Sequence, residues 1–181
     1  MPARYAPLLF DQPLKMTRVI TKIGDVFVVV LDNKTKKFFQ YITNDICQLN
    51  SSVIRVFKTK YNIELNLDCD TIVEGAVDFY AHCVLRWGIK SKVWTKIGNC
   101  KATGTEDIFF RDTNDFGHKL GEEPIKISEN WYIWKVNDEK FTRVGKLEQQ
   151  YQHADLGMVM PAHMIVDRMQ NGGYNIIYPG F

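Results

Sequence analysis

With 181 residues, 45% of them hydrophobic and 13% aromatic, the chain has ample material for one well-filled core, and a 24% charged content excludes long disorder. Its 23 basic and 21 acidic residues leave a net charge of +2, and without a dense basic stripe that balance points away from nucleic acid as a partner. No basic stretch followed by a long apolar run opens the sequence, and the longest apolar run, residues 26–31, is far too short for a bilayer, so a cytoplasmic, non-membrane protein is expected.

Residues 1–15 hold Pro2, Pro7 and Pro13 among apolar side chains. They read as an extended N-terminal arm packed on the body, because Leu8, Leu9 and Phe10 should not stay exposed together. The pattern then turns β-like. Lys22, Ile23, Gly24 and Asp25 form a turn, and residues 26–31 are an unbroken β-branched and aromatic run, as in a strand buried on both faces. Turn residues Asp32, Asn33 and Lys34 lead to a return strand over 37–43, completing a hairpin. Lys34, Lys36 and Lys37, the longest basic cluster, read as part of that solvated turn.

Residues 53–61 alternate as a strand. Val73, Val77, Tyr80, Val84 and Trp87 recur at spacings of three and four, which predicts a helix over 72–87 closed by Gly88 as a left-handed cap. Residues 104–130 are the least regular stretch, with a short apolar piece at 108–110. A second hairpin follows, from strands at 131–136 and 141–147 around Asn137, Asp138 and Glu139, the first of them apolar on both faces and therefore central. A last strand is expected over 156–160. Pro161 suits the first turn of a helix running through Met169 and ended by Asn171, Gly172 and Gly173. The whole predicts a single α+β domain over residues 1–181, a small bent antiparallel sheet or partly open β-barrel with two helices packed on one side.

The chemistry-bearing residues form no recognised constellation. Asp112, Asn114, Gly117 and Glu123 fall at calcium-loop positions one, three, six and twelve, but position five is Phe116 and Pro124 blocks the exiting helix. His82 and Cys83 are adjacent, and neighbours on a helix point about 100° apart, so they cannot act as a nucleophile and base pair. His82, His118, His153 and His163 are widely spaced, without zinc-ligand spacing, and no glycine-rich phosphate loop occurs. Cys47, Cys69, Cys83 and Cys100 are scattered, as reduced thiols in a cytosol would be. No cofactor and no metal are expected, and the sequons at Asn33 and Asn50 have no use in that compartment.

One segment stands out. Between Phe110 and Leu120 lie Arg111, Asp112, Asn114, Asp115, His118 and Lys119, with Gly117 and Gly121 as pivots and Glu122 and Glu123 just beyond. A long polar loop inside a compact domain is a typical binding element. These eight charged and polar residues are the expected partner-binding set. The acidic members, Asp112, Asp115, Glu122 and Glu123, are suited to mimic phosphates towards a nuclease.

Gly24-Asp25-Val26-Phe27 followed by Val28-Val29-Val30-Leu31, a turn and an aromatic return strand resembles the opening hairpin of the immunity protein 26 family of bacteria, found beside polymorphic toxins. That resemblance, carried by about the first forty residues, implies a largely β protein that binds and neutralises a cognate toxin and has no enzymatic activity. The same hairpin is similar to the start of small β-barrel toxin endoribonucleases. Those follow it with a Gly/Pro loop and an arginine poised for phosphate chemistry, whereas here the turn lacks both and the next arginine after Arg18 is Arg55. An enzyme whose site is assembled from distant residues, or an adaptor module, completes the alternatives.

Overall fold

The computed structural model describes residues 19–104, 107–117 and 121–181, so the arm expected over 1–15 lies outside the described residues, as do His118 and Lys119. The larger sheet begins with the anticipated hairpin. Strand β1 (Asp25–Val30) pairs antiparallel with β2 (Thr35–Asp45). Asp32 closes the turn between them, its carboxylate accepting from the backbone N–H groups of Lys34 and Thr35 at 2.7 Å each. β2 pairs onward with β3 (Ser51–Phe57), and a two-residue strand, β4 (Tyr61–Asn62), adds to the start of β2.

The helix expected over 72–87 is not formed. Residues 69–90 instead divide into a short helix α1 (Cys69–Val73), a strand β5 (Val77–Cys83) and a second short helix α2 (Leu85–Lys90). The reason is that β5 is covered on both faces. Phe79, Ala81 and Cys83 enter the main core, while Tyr80 and His82 point into a second cluster on the opposite side. A strand apolar at nearly every position also matches a helical spacing by accident, and the Val, Phe and Tyr content was the better guide. Gly88 is no cap. It lies within α2, and a methyl group there would overlap the Trp94 indole.

Strand β6 (Thr95–Asn99) pairs with β1. Strands β7 (Phe109–Thr113), β8 (Trp131–Lys135) and β9 (Thr142–Gly145) make a second antiparallel sheet with β8 in its centre, as expected of an all-round apolar strand. The strand anticipated at 156–160 is two bridges: β10 (Asp155–Leu156) joins β7 and β11 (Val159–Met160) joins β5, both parallel. The terminal helix α3 (Ala162–Asn171) starts directly after Pro161 and ends at Gly172 with φ +83°, the left-handed cap that its sequence anticipates.

The larger sheet therefore runs β11-β5-β3-β2-β1-β6 with β4 attached to β2, and the smaller runs β10-β7-β8-β9. Irregular steps interrupt the ladders at Val26/Phe27, Tyr41/Thr43 and Val56/Phe57, the kind of defect that bends a strand. Neither sheet closes into a barrel, and the α+β class holds. Among the described residues the α-helices number three rather than two. α2 and α3 cover one face through Leu85, Ile165 and Met169. The other face meets α1 at one end and the second sheet, through Phe110 and Trp134, at the other. Among the described residues no helix is long and apolar enough to cross a membrane.

Candidate functional site

The segment expected as a free loop is half strand. Arg111 and Asp112 belong to β7, opposite Ile133 and Tyr132 of β8. Their polarity concealed the strand, because Arg111 is half-buried among aromatic rings rather than fully solvated. Its guanidinium lies 5.3 Å from the Trp131 ring and 4.5 Å from that of Phe181, and Nε donates to the Ala154 carbonyl at 2.8 Å. Nη1 is buried without a hydrogen-bond partner. Burial lowers the pKa of Arg111 from its ordinary value, yet a guanidinium keeps its proton.

Asp112 and Asp115 are engaged internally. Asp112 accepts from the Tyr178 hydroxyl at 2.5 Å and from the Thr113 N–H at 2.7 Å. Asp115 accepts from the Ser128 hydroxyl at 2.7 Å and from the Asn130 amide. Asn114 is exposed, its backbone N–H reaching the Asn130 carbonyl. Of the four acidic side chains suited to phosphate mimicry, Glu122 and Glu123 are the exposed pair. Among its described residues the loop is thus a pinned half up to Asp115 and a surface half at 116–117 and 121–123.

What pins it is the C-terminal segment. Gly180 bridges to Ile127 and exchanges backbone hydrogen bonds with Lys126 and Ser128. The Tyr178 ring packs at a tilt against Phe116, 4.9 Å away, and lies near Trp131, and Phe181 meets Trp131 edge-on. Around this junction Phe116, Ile125, Ile127 (67% exposed) and Phe181 (51% exposed) present apolar surface to solvent. Glu122, Glu123, Lys126 and Glu129 are the exposed charged residues of the same stretch.

Behind the junction opens a cavity of about 360 Å³ lined by Arg111, Asp155, Leu156, Arg168, Tyr174 and Tyr178, among others. Arg168 of α3 pairs with Asp155 of β10 at 2.6 Å, and its guanidinium lies over the Phe79 and Tyr174 rings. The second Asp155 oxygen accepts from the Tyr80 N–H at 2.7 Å. Burial pushes the Asp155 carboxyl up, against the pull of Arg168 and that amide. Burial also raises the Tyr174 phenol, to about 12. The Arg168 guanidinium opposes that rise by its charge and as a weak donor to the phenol oxygen, while the Tyr174 hydroxyl finds no acceptor for its own proton. Sequence reasoning found Arg111 and missed Asp155, Arg168 and Tyr174. They are spread over twenty residues on a bridge, a helix and a tail, and spacing carries no trace of their convergence. The one available signal was the aromatic and aliphatic content of residues 174–181, too high for a free tail.

His82 and Cys83 succeed each other on a strand, so they face opposite sides of the sheet. Burial pushes the Cys83 thiol far up. His82 is fully buried and its Nε2 lies 3.0 Å from Asp45 Oδ2. Its Nδ1 has no partner, so the neutral Nε2–H tautomer fits best, because a second N–H would be a buried donor facing nothing. Burial lowers the His82 pKa from 6.5, and the opposing hydrogen bond with Asp45 is outweighed. The unfolded chain therefore takes up this proton at a higher pH than the folded one. Stability present above pH 6.5 is expected to fall as pH drops from there towards the folded-state pKa. Urea midpoints between pH 8 and 5 check this, with His82→Gln as reference. The wild type should lose more stability on acidification than the variant, and parallel curves would refute the assignment.

Arg55, which an endoribonuclease reading would need near phosphate, is buried in the larger sheet and donates to Gln40 and to the Ala102 carbonyl. Among the described residues no three His, Cys, Asp or Glu side chains converge as metal ligands would, and all four cysteines are free. No family model matches this chain, and no curated protein or solved structure matches it either.

Proposed function

We propose that this chain is a non-enzymatic immunity protein that binds and neutralises a cognate bacterial toxin in the cytoplasm. The observation that carries the reading is the exposed apolar junction of Phe116, Ile125, Ile127 and Phe181 beside the surface acids Glu122 and Glu123. An apolar centre with a charged rim is the anatomy of a protein-binding surface. Strand β8 and the C-terminal segment hold it in place, which lowers the ordering cost of association. The resemblance of the Gly24 to Leu31 hairpin to immunity proteins supplies the class of partner.

The test uses the toxin encoded beside this gene. Co-expression of the full chain should restore growth to cells making that toxin, and the two purified proteins should co-elute as one complex. An active neighbouring toxin that is neither bound nor blocked would refute the proposal.

A further inference from the structure

The cavity behind the junction holds an imbalance of charge and of hydrogen-bond donors. It is lined by two guanidinium groups, Arg111 and Arg168, and one carboxylate, Asp155, which is already occupied by Arg168 and by the Tyr80 N–H. Among the described residues Arg111 forms no ion pair at contact distance, Asp155 acting on its charge only from further off; its Nε–H donates to the Ala154 carbonyl and its buried Nη1 has no partner. A buried guanidinium donor left unpaired is costly, and the aromatic rings of Trp131 and Phe181 stabilise the cation without satisfying its hydrogen bonds. A second donor, the Tyr174 hydroxyl, is buried on the same cavity wall and is also unpaired. Leu156 and Ile176 provide apolar wall, and the volume suits a small molecule.

We propose that this cavity is a binding site for a small organic anion, a carboxylate or a phosphate on a compact apolar body. Arg111 is its charge partner and the Tyr174 hydroxyl its second donor. The anion supplies the missing acceptor to both and balances the surplus positive charge, while the body rests against Leu156 and Ile176. The site is independent of toxin binding.

The full-length protein is titrated calorimetrically with benzoate, phenyl phosphate, inorganic phosphate and benzyl alcohol, each up to about 10 mM, a range that detects millimolar dissociation constants. Saturable binding of benzoate or phenyl phosphate is expected, the tighter of the two identifying the anionic group, with benzyl alcohol not binding. Tyr174→Phe removes a hydroxyl whose proton has no protein acceptor, so it should fold about as well as the wild type, yet bind the anion about 10-fold more weakly. Arg111→Met should abolish binding. Three results would each overturn the proposal: no binding of either organic anion, equal binding of benzyl alcohol, or wild-type affinity in Tyr174→Phe. Inorganic phosphate binding as tightly as phenyl phosphate would refute the role of the apolar walls. Should Arg111→Met fail to fold, the wild-type titration and Tyr174→Phe decide alone.

Discussion

Replacing Asp45 by alanine is expected to cost about 3–5 kcal/mol of folding stability, since two buried donors lose their acceptor at roughly 1–3 kcal/mol each. Asp45 closes strand β2 and is wholly buried. One carboxylate oxygen accepts from His82 of β5 at 3.0 Å and from the Trp134 indole of β8 at 2.9 Å. The other accepts from the backbone N–H groups of Gln48 and Asn137, both at 3.3 Å. A single side chain thereby ties the larger sheet to the smaller one. Burial alone would raise its pKa, but the donations from Trp134, His82 and Gln48 outweigh that and hold it below 3.8. Alanine would leave two buried donors, the His82 and Trp134 N–H groups, facing a void, and would free the part-buried N–H groups of Gln48 and Asn137. Asp45→Asn keeps one accepting oxygen but turns an N–H₂ group towards other donors, so an intermediate loss is expected. For a chain of this size the alanine variant should melt about 6–20 °C lower. A loss below about 1 kcal/mol in urea titration would mean that the network is not what joins the sheets.

That network also shows where sequence reading ends. Both hairpins were legible, because Asp32 to Lys34 and Asn137 to Glu139 are turn chemistry between strands of clear pattern. The terminal helix was legible from Pro161 and Gly172. Strand β5 was not, since an element buried on both faces loses the alternation that would betray it. Asp45, His82 and Trp134 are separated by tens of residues and meet because two sheets stack, which no local pattern records. For the site, Arg111 was found for a reason the structure changes: it is a half-buried strand residue with an unpaired Nη1 donor, and the loop it was assigned to begins only after Thr113. Asp155, Arg168 and Tyr174 depended on knowing where the C-terminal segment returns.

The same distinction sets the second large effect, on partner binding. Joint replacement of all four acids, Asp112, Asp115, Glu122 and Glu123, would confuse folding with recognition. Asp112 and Asp115 hold Tyr178, Ser128 and Asn130 in place, so their loss loosens the whole junction. The informative variants lie on the surface half. If the junction is where a toxin docks, Phe116→Ala with Ile127→Ala should weaken the complex about 30-fold or more, because a few central apolar anchors dominate such interfaces. Glu122→Ala with Glu123→Ala should leave the complex nearly as tight but slow its formation and flatten its dependence on salt, as rim charges act mainly on encounter. Surface plasmon resonance on each pair of variants separates the two effects, and a melting curve confirms that each variant is folded. The competing surface is helix α2, where Trp87 is 67% exposed between Arg86 and Lys90. Unchanged affinity in the folded Phe116 and Ile127 variant, together with loss of binding in Trp87→Ala, would place the toxin on that helix instead.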